Sequence, residues 1–321
     1  MIHIVPYNEC QQDAWDSFVE RSKNGTFLLK RTYMDYHKDK FPDLSLMFYS
    51  GQNLCGIIPI TVDWTNSIAS SHNGLTYGGL IVSEDAEYEL VREMMDSAIR
   101  FFRHNNISTF YYKAIPYIYH KYPAQEDLYW LTSNGAKLYS RSVSSVIELA
   151  NAHTFSALRI RKIKKALQYG IELLECDIDK HSKLWKQYWA ILDLILSSRH
   201  GVAPVHTYKE ICFLKHANSA SIRLYVAQDK ISKELLAGVV TYETAQVEHC
   251  QYIAASDNGC KYNALDLLLG WMINRSASKF RYFDFGVSTE NSGLFLNKGL
   301  LFQKQGFGGR AVCYDTYKCV L

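Results

Sequence analysis

His206 and Asp284 are residues whose type and setting could do chemistry on a substrate. His206 ends the run Arg199-His200-Gly201-Val202-Ala203-Pro204-Val205-His206, directly before a helix predicted to start at Thr207. An imidazole titrates near neutral pH, and a loop–helix junction often exposes side chains, so His206 is a candidate general base. Glu210, four residues on, could orient it; the alternative is a histidine that merely flanks a helix. Asp284 interrupts the aromatic strand Tyr282-Phe283-Asp284-Phe285 on the face opposite the two phenylalanines. With Ser288, Thr289 and Glu290 in the following Gly286–Gly293 loop, and Asn297, Lys298 and Lys304 on the next helix, it suggests a polar substrate pocket. The competing use is capping of the loop backbone by Asp284.

Two further stretches suit anions. Ser256 to Asn263 is predicted as a loop between a strand and a helix. Backbone N–H groups there favour a phosphate or carboxylate, Gly259 permits close approach and Lys261 adds charge. An ordinary Asn-Gly turn is the other reading. Arg159-Ile160-Arg161-Lys162-Ile163-Lys164-Lys165 places five positive charges in seven residues of a predicted helix. Such a helix can hold a polyphosphate, an RNA backbone or an anionic membrane, or can be a solvated face. The dinucleotide and P-loop glycine signatures are absent, as is any Cys-x-x-Cys pair among the eight cysteines, so no metal site is expected.

The elements that position these residues repeat. Residues 71–79 read SHNGLTYGG and residues 256–264 read SDNGCKYNA, matching at Ser71/Ser256, Asn73/Asn258, Gly74/Gly259 and Tyr77/Tyr262. Each copy follows a strand-like run and precedes a helix (88–103 and 264–277) and then an aromatic strand (109–113 and 281–285). The repeat predicts one α+β unit used twice, joined near Ala150–Phe155. Other predicted strands include 54–62, 144–149, 222–228, 235–241, 248–254 and 311–317, with helices at 11–22, 31–38, 156–169, 183–198, 208–217 and 294–304. The length of 321 residues agrees with two domains, and 48% apolar residues exclude a disordered chain. Lys and Arg number 35 against 32 Asp and Glu, a net charge of +3 too small for nucleic-acid binding over the whole surface. Met1–Cys10 has no secretory pattern, and no apolar run reaches the ~20 residues that span a bilayer, so a cytoplasmic protein is expected.

The chain resembles the GNAT acyltransferases, in particular their double-domain FemABX-like branch. The likeness rests on the basic helix with Ala166 and Gly170, Arg199-His200-Gly201-Val202, Ala237-Gly238-Val239, Gln251-Tyr252-Ile253-Ala254 and Asn263-Ala264-Leu265. It is densest from Tyr282 to Gly309. The resemblance implies two tandem GNAT-like units, residues 1–152 and 153–321, each a mostly antiparallel sheet flanked by helices, with the active site in or near the second. It implies an N-acyltransferase using acetyl-CoA or another acyl-CoA. The acceptor would be the amine of a nucleotide- or lipid-linked amino sugar in cell-envelope polysaccharide assembly, at the inner face of the membrane with peripheral contact. Ser256, Asn258, Gly259, Lys261, Tyr262 and Asn263 would hold the donor. His206 would be the base, Tyr252 a proton donor or oxyanion contact, and Asp284 with Glu290 would meet the acceptor. Arg199, Tyr77, Lys298 and Lys304 would complete the substrate site. No covalent nucleophile is required. The Arg/Gln-x-x-Gly-x-Gly/Ala signature is not cleanly present, which keeps an aminoacyl-tRNA donor as the alternative; a non-catalytic binding module is a third reading.

Overall fold

A computed structural model describes residues 2–321. The side chains of residues 199 and 200 are excepted, so the expected substrate contact at Arg199 lies outside the described residues. The chain forms two compact units: 1–143 with 289–295 and 312–321, and 144–288 with 296–311. Neither coincides with a sequence-order half.

The elements of the first stretch are β1 (Ile2–Pro6), α1 (Gln12–Arg21), α2 (Arg31–Met34), β2 (Leu46–Ser50), β3 (Asn53–Ile58), β4 (Thr61–Asp63) and β5 (Ile68–Ser70). Then come β6 (Ile81–Val82), α3 (Tyr88–His104), β7 (Thr109–Lys113), α4 (Glu126–Ser133) and the long β8 (Lys137–Glu148). Helix α3 buries Val91, Met94, Met95, Ala98 and Phe102, spaced three and four apart, while Glu89 and Arg92 pair on its exposed face. This buried stripe meets Phe48, Ile58, Phe110 and Trp130 in the first core.

The second stretch holds α5 (Ala157–Ala166), β9 (Ile171–Cys176), α6 (Ser182–His200), α7 (Tyr208–Ala217), β10 (Ile222–Asp229), β11 (Leu235–Glu243) and β12 (Val247–Ala255). It continues with α8 (Asp257–Lys261), α9 (Ala264–Ser276), β13 (Tyr282–Val287), the short strands β14 (Thr289–Glu290) and β15 (Phe295–Leu296), α10 (Lys298–Gly306) and β16 (Arg310–Val320). Every residue of β11 is buried, which explains its unbroken apolar run LLAGVV: both of its faces are covered. Leu268, Leu269, Met272 and Ile273 of α9 join Val239, Phe283 and Phe285 in the second core.

Each unit contains a parallel strand pair joined by a helical crossover. In the first, β5 pairs with β7 through Ile68–Thr109, Ala69–Phe110 and Ser70–Tyr111. In the second, β12 pairs with β13 through Val247–Tyr282, Glu248–Phe283 and His249–Asp284. The strand on the far side of each pair comes from elsewhere in the sequence. Residues 316–320 of β16 run antiparallel to β7, and residues 144–148 of β8 run antiparallel to β13.

Several elements depart from the sequence expectation. The strand predicted at 54–62 is cut at Pro59, which cannot donate to a ladder. The predicted loop 256–263 is instead one helical turn, α8, because the Ser256 hydroxyl caps it by accepting from Gly259 N at 3.1 Å. Asn263 then adopts a left-handed backbone (φ 56°), which ends that turn and restarts the chain as α9. Strand β9 and helix α4 have no counterpart in the sequence expectation, and the helix expected at 294–304 begins only at Lys298. Among the described residues no helix is long and apolar enough to cross a membrane.

Candidate active site

In the second unit the ladder between β12 and β13 stops at His249–Asp284, although β12 runs on to Ala255 and β13 to Val287. The two strands therefore splay, and beyond that vertex the β13-facing edge of β12 has no strand partner among the described residues. On its other side β12 stays paired to β11 through Ala255, with a bulge that leaves Gln251 without a register partner. A pocket of about 480 Å³ opens beside the splay, lined by Ile253, Ala254 and Ala255 of β12 and Phe285 of β13. Helices complete its wall: Gly259 of α8, Asn263 and Asp266 at the start of α9, Arg159 and Lys162 of α5, and Gln303 and Lys304 of α10.

The pocket is cationic. Arg159 is buried, its guanidinium paired with the buried Asp266 carboxylate and set 5.3 Å over the Phe307 ring; Lys162 lies 3.7 Å from the second carboxylate oxygen. Lys304 is also buried, its ammonium donating to the carbonyls of Gly286 at 2.7 Å and Val287 at 2.8 Å. Burial pulls its pKa down to about 8, against the Asp284 charge, which favours the proton. The first N–H groups of α9, beside these cations, have no intrahelical acceptor, so an anionic group fits there. Gly259 is required for a local reason: a Cβ at this position would lie 1.8 Å from the Leu236 carbonyl oxygen, so only glycine lets α8 sit on β11.

Of the residues singled out from sequence, the structure gathers Gly259, Asn263 and Lys304 at this pocket, together with Arg159 and Lys162 of the basic helix. The other members of the 256–263 group are engaged locally. Ser256 caps α8, Asn258 donates to Glu234 at 2.8 Å, Tyr262 packs on Tyr169 with ring centroids 4.6 Å apart, and exposed Lys261 lies 5.5 Å over the Tyr262 ring. Lys298 is exposed at the start of α10 and does not line the pocket. Tyr77 and Glu290 belong to the first unit. There Tyr77 is buried, its hydroxyl 3.1 Å from Thr26 Oγ1, and Glu290 is exposed on β14.

The three expected catalytic residues fall into two groups. His206 is 2% exposed, its Nδ1 lies 2.5 Å from the Tyr252 hydroxyl, and Trp189 packs edge-on against that tyrosine. Glu210 closes a capping box with Thr207, accepting from Thr207 N at 2.7 Å. Asp284 is fully buried at the vertex. One carboxylate oxygen accepts from Ser144 Oγ at 2.5 Å and Gly286 N at 2.8 Å, and the other lies 2.8 Å from His249 Nδ1. Asp284 accepts from the Gly286 backbone, as in the capping reading, and its other oxygen meets an imidazole; it does not itself line the pocket.

Sequence reasoning missed Asp266 and His249. A single carboxylate inside the apolar run Ala264-Leu265-Asp266-Leu267-Leu268 was a usable signal, because a buried charge demands a partner. His249 gave none, since its partner stands 35 residues away and is reached only through strand register. Among the described residues no group of three His, Cys, Asp or Glu side chains is placed to hold a metal ion.

No family model matches the sequence, and neither does any curated protein. Solved structures do match. FemX superposes with a TM-score of 0.69 at 12% identity, covering 99% of this chain and 97% of its own. A Bacteroides thetaiotaomicron protein of unknown function gives 0.62 at 9% identity, covering 99% of both chains. L-PGS from Bacillus licheniformis gives 0.59 at 10% identity, covering 97% of this chain and 92% of its own. At such identities the likeness concerns architecture: over nearly its whole length this chain shares the fold of FemX and L-PGS.

Proposed function

We propose that the protein is an N-acyltransferase whose second unit binds an acyl-CoA, acetyl-CoA in the first instance, and transfers the acyl group to an amine. The observation that carries this reading is the splay of β12 and β13 beside a cationic pocket. Arg159, Lys162 and the α9 N-terminus suit the donor's phosphates, and the edge of β12 that has no strand partner offers backbone groups to an extended amide-containing arm. N–H groups of that edge also suit the oxyanion that forms when an amine attacks a carbonyl. The proposed acceptor is the amine of an amino sugar on a nucleotide or lipid carrier, in cell-envelope glycan assembly at the cytoplasmic face of the membrane.

A second reading, an aminoacyl-tRNA donor, draws on the exposed charges Arg161, Lys164 and Lys165 on α5. Calorimetry separates the two. The acyl-CoA reading expects saturable acetyl-CoA binding that Lys162→Glu weakens. Binding of charged tRNA, steeply reduced by salt, without acetyl-CoA binding would overturn it in favour of the second. If neither donor binds, a binding module that retains the fold becomes the better description.

A further inference from the structure

The vertex of the second splay holds a histidine–carboxylate pair that the reading above leaves without a task. Asp284 has no exposed surface and is held by neighbours that include Ser144 Oγ at 2.5 Å, Gly286 N at 2.8 Å and His249 Nδ1 at 2.8 Å. A carboxylate so held fixes the tautomer of its imidazole partner, with the proton on Nδ1 and the lone pair on Nε2. That Nε2 has no hydrogen-bond partner among the described residues, and the side chain keeps 15% of its surface exposed. Gly286 keeps it uncovered. Its φ of +76° favours glycine, and a Cβ there would stand 3.3 Å from Cε1 and 4.0 Å from Nε2 of His249. The Lys304 ammonium, which lines the pocket, is anchored on the carbonyl of this same Gly286.

The first unit supplies an internal control. Its parallel pair ends on Ser70–Tyr111, at the register position that His249–Asp284 occupies in the second. Two titratable groups, bonded to each other, therefore stand at the vertex of the unit that has the pocket. His206 is less suited to proton transfer, being 2% exposed with its Nδ1 engaged by Tyr252.

We propose that His249, oriented by Asp284, is the base that takes the proton from the acceptor amine; this rests on the acyltransferase reading above. The amine nitrogen bonds to the donor's carbonyl carbon, the bond from that carbon to the thiol sulfur breaks, and the proton shed by nitrogen passes to Nε2 of His249. It then returns to solvent or to the departing thiolate. Asp284 is a positioning residue in this scheme.

The test uses the full chain with acetyl-CoA and UDP-glucosamine as probes. His249→Gln can still donate to Asp284 but cannot accept a proton, and it is expected to lower kcat by about 100-fold with acetyl-CoA binding unchanged. In His249→Ala, added imidazole should restore part of the lost turnover, which a purely structural histidine would not allow. Turnover by His249→Gln within about tenfold of wild type, or a loss matched by lost acetyl-CoA binding, overturns the assignment. Diethyl pyrocarbonate labelling read by peptide mass spectrometry needs no acceptor. It should modify His249 in the free protein and spare it when acetyl-CoA is bound; an unreactive or unprotected His249 overturns the proposal. Wild-type protein that binds no acetyl-CoA overturns the acyl-CoA reading itself and takes the base with it. Acetylation that His249→Gln leaves intact removes only the base.

Discussion

The two parallel strand pairs share register and connection, yet one is closed and the other open. Beyond Ser70–Tyr111 the first unit folds its own loop across the splay. Ser71 N donates to Tyr111 O at 2.8 Å, Lys113 N to Ser71 Oγ at 2.6 Å and Gly78 N to Lys113 O at 3.1 Å. The Lys113 ammonium donates to the carbonyls of His72 and Leu75 at 3.2 and 3.0 Å. Beyond His249–Asp284 the second unit instead turns away into α8, and a pocket opens beside the splay. Both places hold a lysine bonded to backbone carbonyls, half-buried at Lys113 and buried at Lys304, and desolvation pulls each pKa down to about 8. What separates the closed wedge from the open one is therefore the path of the segment after the first strand, rather than the strand geometry.

The largest expected effect breaks the open wedge. Asp266→Ala strands the buried Arg159 guanidinium, and losing one partner of a buried ion pair costs about 3–5 kcal/mol. Urea unfolding should show that loss, and acetyl-CoA binding should fall with it.

A somewhat smaller effect sharpens the contrast one step before each vertex, where the first unit has Ala69 and the second Glu248. Burial lifts the Glu248 carboxyl to about 7, opposed by a hydrogen bond from Ser276. Between the ordinary glutamate range and pH 7 the folded chain holds a proton that the unfolded chain releases, so stability falls as pH rises through that window. Glu248→Gln removes the dependence and is expected to be more stable than wild type by about 3 kcal/mol at pH 8, with little difference near pH 4. Equal stabilities at pH 8 would show that Glu248 is not charged at a cost.

A last comparison sets the two lysines against each other. Above about pH 8 both are deprotonated in the folded chain, while the unfolded chain keeps its protons toward the ordinary lysine range, so wild-type stability rises with pH there. Lys113→Met should flatten part of that rise and leave turnover intact. Lys304→Met should flatten a similar part and abolish acyl transfer. Loss of turnover in Lys113→Met would erase the distinction between the wedges.

Much of this architecture could be read from local patterns. The Ser-Asn-Gly-Tyr repeat correctly marked the segment following β5 and β12, and apolar periodicity located α3 and α9 to within a residue or two. The same repeat hid the difference that matters, because Gly74 packs against the His37 ring whereas Gly259 packs against the β11 backbone. Ser256 is a capping residue as well as a loop residue, and only the contact with Gly259 N decides between the two. The pairing of His249 with Asp284, like that of Arg159 with Asp266, depends on which strands and helices become neighbours, and no window of sequence contains both partners.

The origin of the outer strands has a consequence for how the chain is made. Strand β7 pairs with β16, which leaves the ribosome roughly 200 residues after it, whereas β13 emerges to find residues 144–148 of β8 already synthesised. The nascent first unit must therefore carry an exposed edge through translation of nearly the whole second unit. The unit that carries the candidate active site meets its partner strand without delay, and the unit whose synthesis starts first is the last to be sealed.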